Sequence, residues 1–185
     1  MLRRLLSPAT SATQRRFLSK PGSSAPDLAS FARRRAARRP AISDGGTGMM
    51  RTVSIFGATG SVGMSTLDLI RRDPEAYAVV ALTANSDVEG LAQAAKATKA
   101  RIAVIGDPAR YDVLKAALAG SGVEAAAGEE ALADVAGAGA DWTMASIVGC
   151  AGLRPTMAAL KAGGTVALAN KESLVSAGGL MMEAA

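Results

Sequence analysis

The 185-residue chain has no histidine, one cysteine, and only three Phe, two Tyr and one Trp. Without histidine, the commonest metal ligand and the usual acid–base of neutral pH are both missing, so any chemistry must run on Lys, Glu, Asp or a cofactor. The lone Cys150 excludes an internal disulfide framework and fits a reducing compartment. No apolar run approaches the roughly 20 residues of a membrane span, so no membrane partner is expected. Acids are scarce at one end only. Residues 1–50 hold ten Lys/Arg against Asp27 and Asp44, and of the 21 basic and 16 acidic groups in the chain the other 135 residues keep 11 and 14. The net charge of +5 therefore comes from a basic leader on a mildly acidic domain, and a nucleic-acid partner loses its support.

What is present begins with enough apolar residues, 49%, for one domain with a sizeable core and too little length for two. We divide the chain into residues 1–50, an Arg/Ser-rich leader expected to be disordered when free, and residues 51–185, the folded domain. The leader has the composition of an organellar transit peptide; equally, translation starting at Met49 or Met50 would make it upstream sequence. A nucleic-acid-binding arm ranks last, since aromatic residues are not interleaved with its arginines.

From Arg51 short apolar runs alternate with helical patterns. Strands are expected at 52–56, 77–83, 101–105, 142–148 and 165–169, with a short one at 123–126. Helices are expected at 61–72, 88–98, 108–119, 129–135 and 153–162, the first with Val62, Thr66, Leu69 and Ile70 inward and the second with Val88, Leu91 and Ala95 inward. Continuous apolar strands alternating with helices mean an α/β fold, a doubly wound parallel sheet of the Rossmann-like kind. Ligands in such folds bind beyond the carboxyl ends of the strands.

Gly57, Gly60 and Gly63 in "GATGSVG" lie between the first strand and the first helix. Glycines there let the backbone approach a pyrophosphate, while the helix start around Ser61 and Val62 offers N–H donors, and Thr59 and Ser61 add hydroxyls. The second strand ends Leu82-Thr83-Ala84-Asn85-Ser86, without an acid at that point to hold the ribose diol of NAD, and Asp87 lies further on. Asn85 and Ser86 can donate to a 2′-phosphate, which favours NADP; Asp87 either caps the next helix or stands close enough to disfavour that phosphate. After the last strand come Asn170, Lys171 and Glu172. Asn170 suits an N-cap and Glu172 the first helical turn, and a Lys at that edge can equally bind a phosphate or a polarised carbonyl.

The stretches "TVSIFGATGSVGMSTLDLIRRDPEAYAVVALTAN" and "ASIVGCAGLRPTMAALKAGGTVALANKESLVSAGGLM" resemble the amino-terminal, NADPH-binding domain of the 1-deoxy-D-xylulose-5-phosphate reductoisomerase family. The resemblance runs from about Thr52 to the end. It implies an enzyme that rearranges the carbon skeleton of a phosphorylated sugar and reduces the resulting aldehyde with NADPH, in non-mevalonate isoprenoid biosynthesis, as a homodimer. Carried over by position, it implies cofactor contacts at Thr59, Gly60, Ser61, Val62, Asn85, Ser86, Asp87, Asn170 and Glu172, and a substrate contact at Lys171. Asn85-Ser86-Asp87 departs from the family's more basic second loop, which bears on how strongly a 2′-phosphate is held. Cys150 stands where the family has a small residue, so a buried small side chain is expected rather than a nucleophile.

The family also uses a divalent metal (Mn, Mg or Co) to chelate the substrate, held by an acidic motif that follows this region. No such motif occurs here, so neither metal ligands nor catalytic residues are assigned, and the chain is expected to bind NADPH without turning over substrate. Two other functions stay open on residues alone: a free-standing NADP(H)-binding module, and an aspartate-semialdehyde-type dehydrogenase, which shares "GATGSVG" but needs a histidine. The expected location is the bacterial cytoplasm, or an organelle if the leader is a transit peptide.

Overall fold

The structure, a computed structural model, describes residues 50–185. The readings of the leader as transit peptide, upstream sequence or arm lie outside the described residues. Six strands form the sheet: β1 (Arg51–Phe56), β2 (Tyr77–Ala84), β3 (Ile102–Ile105), β4 (Glu124–Ala127), β5 (Trp142–Ala145) and β6 (Thr165–Leu168). The helices between and after them are α1 (Ser61–Arg72), α2 (Val88–Ala97), α3 (Tyr111–Ala117), α4 (Gly128–Ala138), α5 (Leu153–Lys161) and α6 (Lys171–Ala184). Single 3-10 turns at Pro108–Arg110 and Cys150–Gly152 lead into α3 and α5.

All strand pairs are parallel, in the order β4-β3-β2-β1-β5-β6. Chain order reverses between β1 and β5, which makes their carboxyl ends the switch point of a doubly wound sheet. Each face carries its own core. Val53, Ile55, Leu82 and Ile105 pack under α1, α2 and α3 through Leu67, Ile70, Leu91 and Leu114, and Phe56, Val104 and Ala126 pack under α4 and α5 through Val135, Ala136 and Ala159. The pairing of β1 with β2 slips by one residue after Val53, so that Val80 and Ala81 both face the second core. Among the described residues no helix is long and apolar enough to cross a membrane.

Three local expectations are corrected. In α1 the buried residues are Gly63, Thr66, Leu67 and Ile70, while Val62 (40% exposed) and Leu69 (63%) face outward. The cause is Gly63: a Cβ there would lie 2.2 Å from the Gly57 carbonyl oxygen, so the helix rests its glycine edge directly on the loop after β1. The fifth strand stops at Ala145 rather than Val148, because Ser146 turns its hydroxyl back onto the Phe56 carbonyl (2.7 Å), leaving Val148 82% exposed. Cys150, expected to be buried, is exposed at the start of its 3-10 turn.

Candidate functional site

Because the strands are parallel, the segments that follow β2, β1, β5 and β6 emerge side by side along one edge of the sheet. Residues 85–87, 57–62, 146–149 and 170–172 thus line up over three strand spacings of about 4.8 Å each.

The glycine loop sits at the switch point. Gly57 has φ +87°, in the left-handed region where a side chain is strained, and its N–H donates to the Thr83 carbonyl and to Thr83 Oγ1 (3.1 Å each). Ala58 N–H shares the Thr83 carbonyl at 2.7 Å. A Cβ on Gly57 would meet the Ser146 carbonyl at 2.9 Å, so this glycine serves both the turn and the contact with the β5 loop. Gly63 serves the packing of α1 onto the loop after β1. Gly60 differs from both: its φ is −80° and an added Cβ would meet only the Gly57 carbonyl, at 3.4 Å. Among the described residues nothing requires a glycine there, and the position faces the open side of the loop. Gly60 also starts α1 without a side-chain cap, and the first turn has no acid. The first intrahelical bond is Met64 N–H to the Gly60 carbonyl, 2.8 Å, so the N–H groups of Ser61, Val62 and Gly63 precede the helical ladder. A bare, positively polarised helix start behind a glycine that makes room is suited to an anion such as a pyrophosphate.

Next to it, Asn85, Ser86 and Asp87 are all exposed at the end of β2. Asp87 Oδ1 accepts from Gly90 N–H at 2.9 Å and so caps α2. Asn85 lies against Gly106, whose added Cβ would be 2.9 Å from Asn85 Oδ1. On the other side of the switch point, Asn170 is 2% exposed and caps α6: its Oδ1 accepts from Ser173 N–H (3.0 Å). Its Nδ2 donates to the carbonyls of Ile147 (2.6 Å) and Gly149 (2.9 Å). Lys171 and Glu172 are exposed at the helix start that follows. Thr59 is half-buried, and Ser61 and Val62 are exposed. The structure thus brings the expected residues to one edge, in an order that suits an extended dinucleotide from Asn85 toward Lys171.

Sequence reading missed two residues of this edge. Ser146, read as part of a strand, holds the Phe56 carbonyl with its N–H (2.9 Å) and its hydroxyl (2.7 Å), closing the β1 and β5 ends together. Thr83 anchors the glycine loop from β2. Neither has a local signal, because each acts on residues 26 to 90 positions away. Among the described residues no group of three or more His, Cys, Asp or Glu side chains could hold a metal ion, so the residues present do not fit one.

The sequence model of the 1-deoxy-D-xylulose 5-phosphate reductoisomerase family matches residues 53–178. The chain belongs to that family. Family membership sets aside the aspartate-semialdehyde-type reading. Its relatives include the 1-deoxy-D-xylulose 5-phosphate reductoisomerases of Zymomonas mobilis, 66% identical over 134 residues, and of Ruegeria pomeroyi, 56% identical over 140. These matches cover 72% and 76% of this chain, which spans about a third of the length of the relatives themselves, 34% and 35%. Among solved structures, the Zymomonas mobilis reductoisomerase in complex with NADPH is similar with a TM-score of 0.73 at 65% identity, over 74% of this chain and 36% of that one. A DOX-P reductoisomerase in complex with NADPH, fosmidomycin and magnesium is similar with a TM-score of 0.70 at 39% identity, over 73% of this chain and 34% of the other.

Proposed function

We propose that residues 51–185 are the NADPH-binding part of a reductoisomerase that converts 1-deoxy-D-xylulose 5-phosphate into 2-C-methyl-D-erythritol 4-phosphate. The observation that carries the reading is Gly60, a glycine that the packing of the described residues does not need, in front of an uncapped helix start at the switch point. Family membership, and the NADPH bound in the similar Zymomonas mobilis reductoisomerase, support this choice of dinucleotide and reaction.

In this reading the N–H groups of Ser61 and Val62 and the hydroxyls of Thr59 and Ser61 take the pyrophosphate, with Gly60 leaving it room. Asn85 and Ser86 donate to the 2′-phosphate, beside Asp87, whose carboxylate is engaged by its own helix. Asn170 and Glu172 stand at the nicotinamide end. Lys171 offers a compact cation to an oxygen of the phosphorylated sugar. NADPH, when bound, supplies the hydride. No step is assigned to a metal here, since the described acids form no ligand group. The family also implies a homodimer, which sedimentation of this chain tests, and the bacterial sources of the relatives support a cytoplasmic location.

Titrating the full chain with NADPH and following nucleotide fluorescence tests the cofactor reading. Saturable binding, tighter for NADPH than for NADH, is expected; equal affinity for both would defeat the NADP assignment.

A further inference from the structure

Resting on that cofactor reading, we infer that Asn170 is the positioning residue that holds the β5 loop and the start of α6 in one arrangement around the nicotinamide end. The pairing of β5 with β6 ends at Ala145 and Leu168, and the last backbone bond between them is Ala169 N–H to the Ala145 carbonyl, 3.0 Å. Beyond it the carbonyls of Ile147 and Gly149 have left the ladder. The Asn170 carboxamide takes over: both amide hydrogens go to those carbonyls, across 23 and 21 residues, and the oxygen caps α6 through Ser173 N–H. Only a carboxamide offers two donors and an acceptor at that reach; a carboxylate offers no donor and a hydroxyl a single one.

The clamp has neighbours at both ends. Ser146 ties the same loop to the Phe56 carbonyl, where β1 opens into the glycine loop, so bonds run from the glycine loop through residues 146–149 to α6. Gly152 makes room for it, since a Cβ there would lie 2.6 Å from Asn170 Nδ2 and 2.6 Å from the Ile147 carbonyl. Lys171 and Glu172 are exposed and follow directly in sequence, so the direction in which they leave the sheet edge is set by Asn170. Its part in cofactor binding is to aim its neighbours, its own side-chain amide being used within the chain.

Asn170→Ser in the full chain separates clamp from cap, because serine is an equally good N-cap acceptor. The variant is expected to stay folded by circular dichroism. Amide hydrogen exchange over residues 146–152 should accelerate, and the Kd for NADPH should rise about tenfold, the loss of one to two net hydrogen bonds. Gly152→Ala, which pushes a methyl group into the clamp from outside the amide, should move both readouts the same way. Unchanged exchange over 146–152 in a folded Asn170→Ser chain would overturn the clamp. Accelerated exchange with wild-type NADPH affinity would overturn the positioning role. A wild-type chain that fails to bind NADPH overturns the cofactor reading instead, while the exchange measurement still judges the clamp.

Discussion

Three glycines at equal spacing look alike in the sequence, yet each answers to a different neighbour. Gly57 needs a left-handed backbone, Gly63 needs contact with the loop after β1, and Gly60 leaves space that no described residue fills. Substituting them should therefore separate folding from binding. Gly60→Ala is expected to keep the melting temperature within a few degrees and to weaken NADPH by about tenfold or more, through a methyl group where the pyrophosphate approaches. Gly63→Ala is expected to lower stability by about 1–3 kcal/mol or to prevent folding, because its Cβ meets backbone at 2.2 Å. Parallel thermal melts and NADPH titrations check both. At the second loop, Ser86 is exposed and carries no charge. Ser86→Arg should tighten NADPH several-fold with NADH unchanged, since a guanidinium pairs with a 2′-phosphate in bidentate fashion.

Among the elements, the long amphipathic patterns were legible and their ends were less so. The stretch 88–98 reads as a helix, and the structure has α2 at Val88–Ala97 with Leu91 and Ala95 buried and Asp87 as its cap. Asp87→Ala is expected to cost about 1 kcal/mol of stability, read by denaturant unfolding. Just past the Thr98 cap of that helix stands Lys99 at φ +51°, the one non-glycine residue with positive φ among those described. Lys99→Gly is expected to stabilise by about 0.5–1 kcal/mol, since glycine takes the left-handed conformation without Cβ strain. In α1 Thr66 and Ile70 are inward as read but Val62 and Leu69 are not, because counting apolar residues gives Gly63 no weight while close packing gives it the leading part. In α6 the backbone leaves helical geometry at Ala177 (φ −142°, ψ 26°), just before Gly178 and Gly179. Such a pair of glycines is a recognised site of helix kinks.

For the whole domain, a ligand that binds only the folded state stabilises it by mass action. NADPH at about 100 times its Kd should add about 2.7 kcal/mol, seen as a rise in melting temperature of roughly 5–10 °C in differential scanning fluorimetry, and NADH at the same concentration should add less. The sequence by itself determined the alternation of strands and helices, hence a parallel doubly wound sheet, because local periodicity and the glycine and proline breaks carry that information. It also located the loops that follow each strand, including "GATGSVG" and "NKES". Only the tertiary structure decided which strands are neighbours, and thereby that the ends of β1 and β5 meet at a switch point. It alone decided that Ser146 and Asn170 bind the edge together, since a hydrogen bond between groups 21 to 90 residues apart leaves no trace in local pattern. Strand order is settled by which apolar faces can be buried together, a property of the assembled sheet rather than of any one segment.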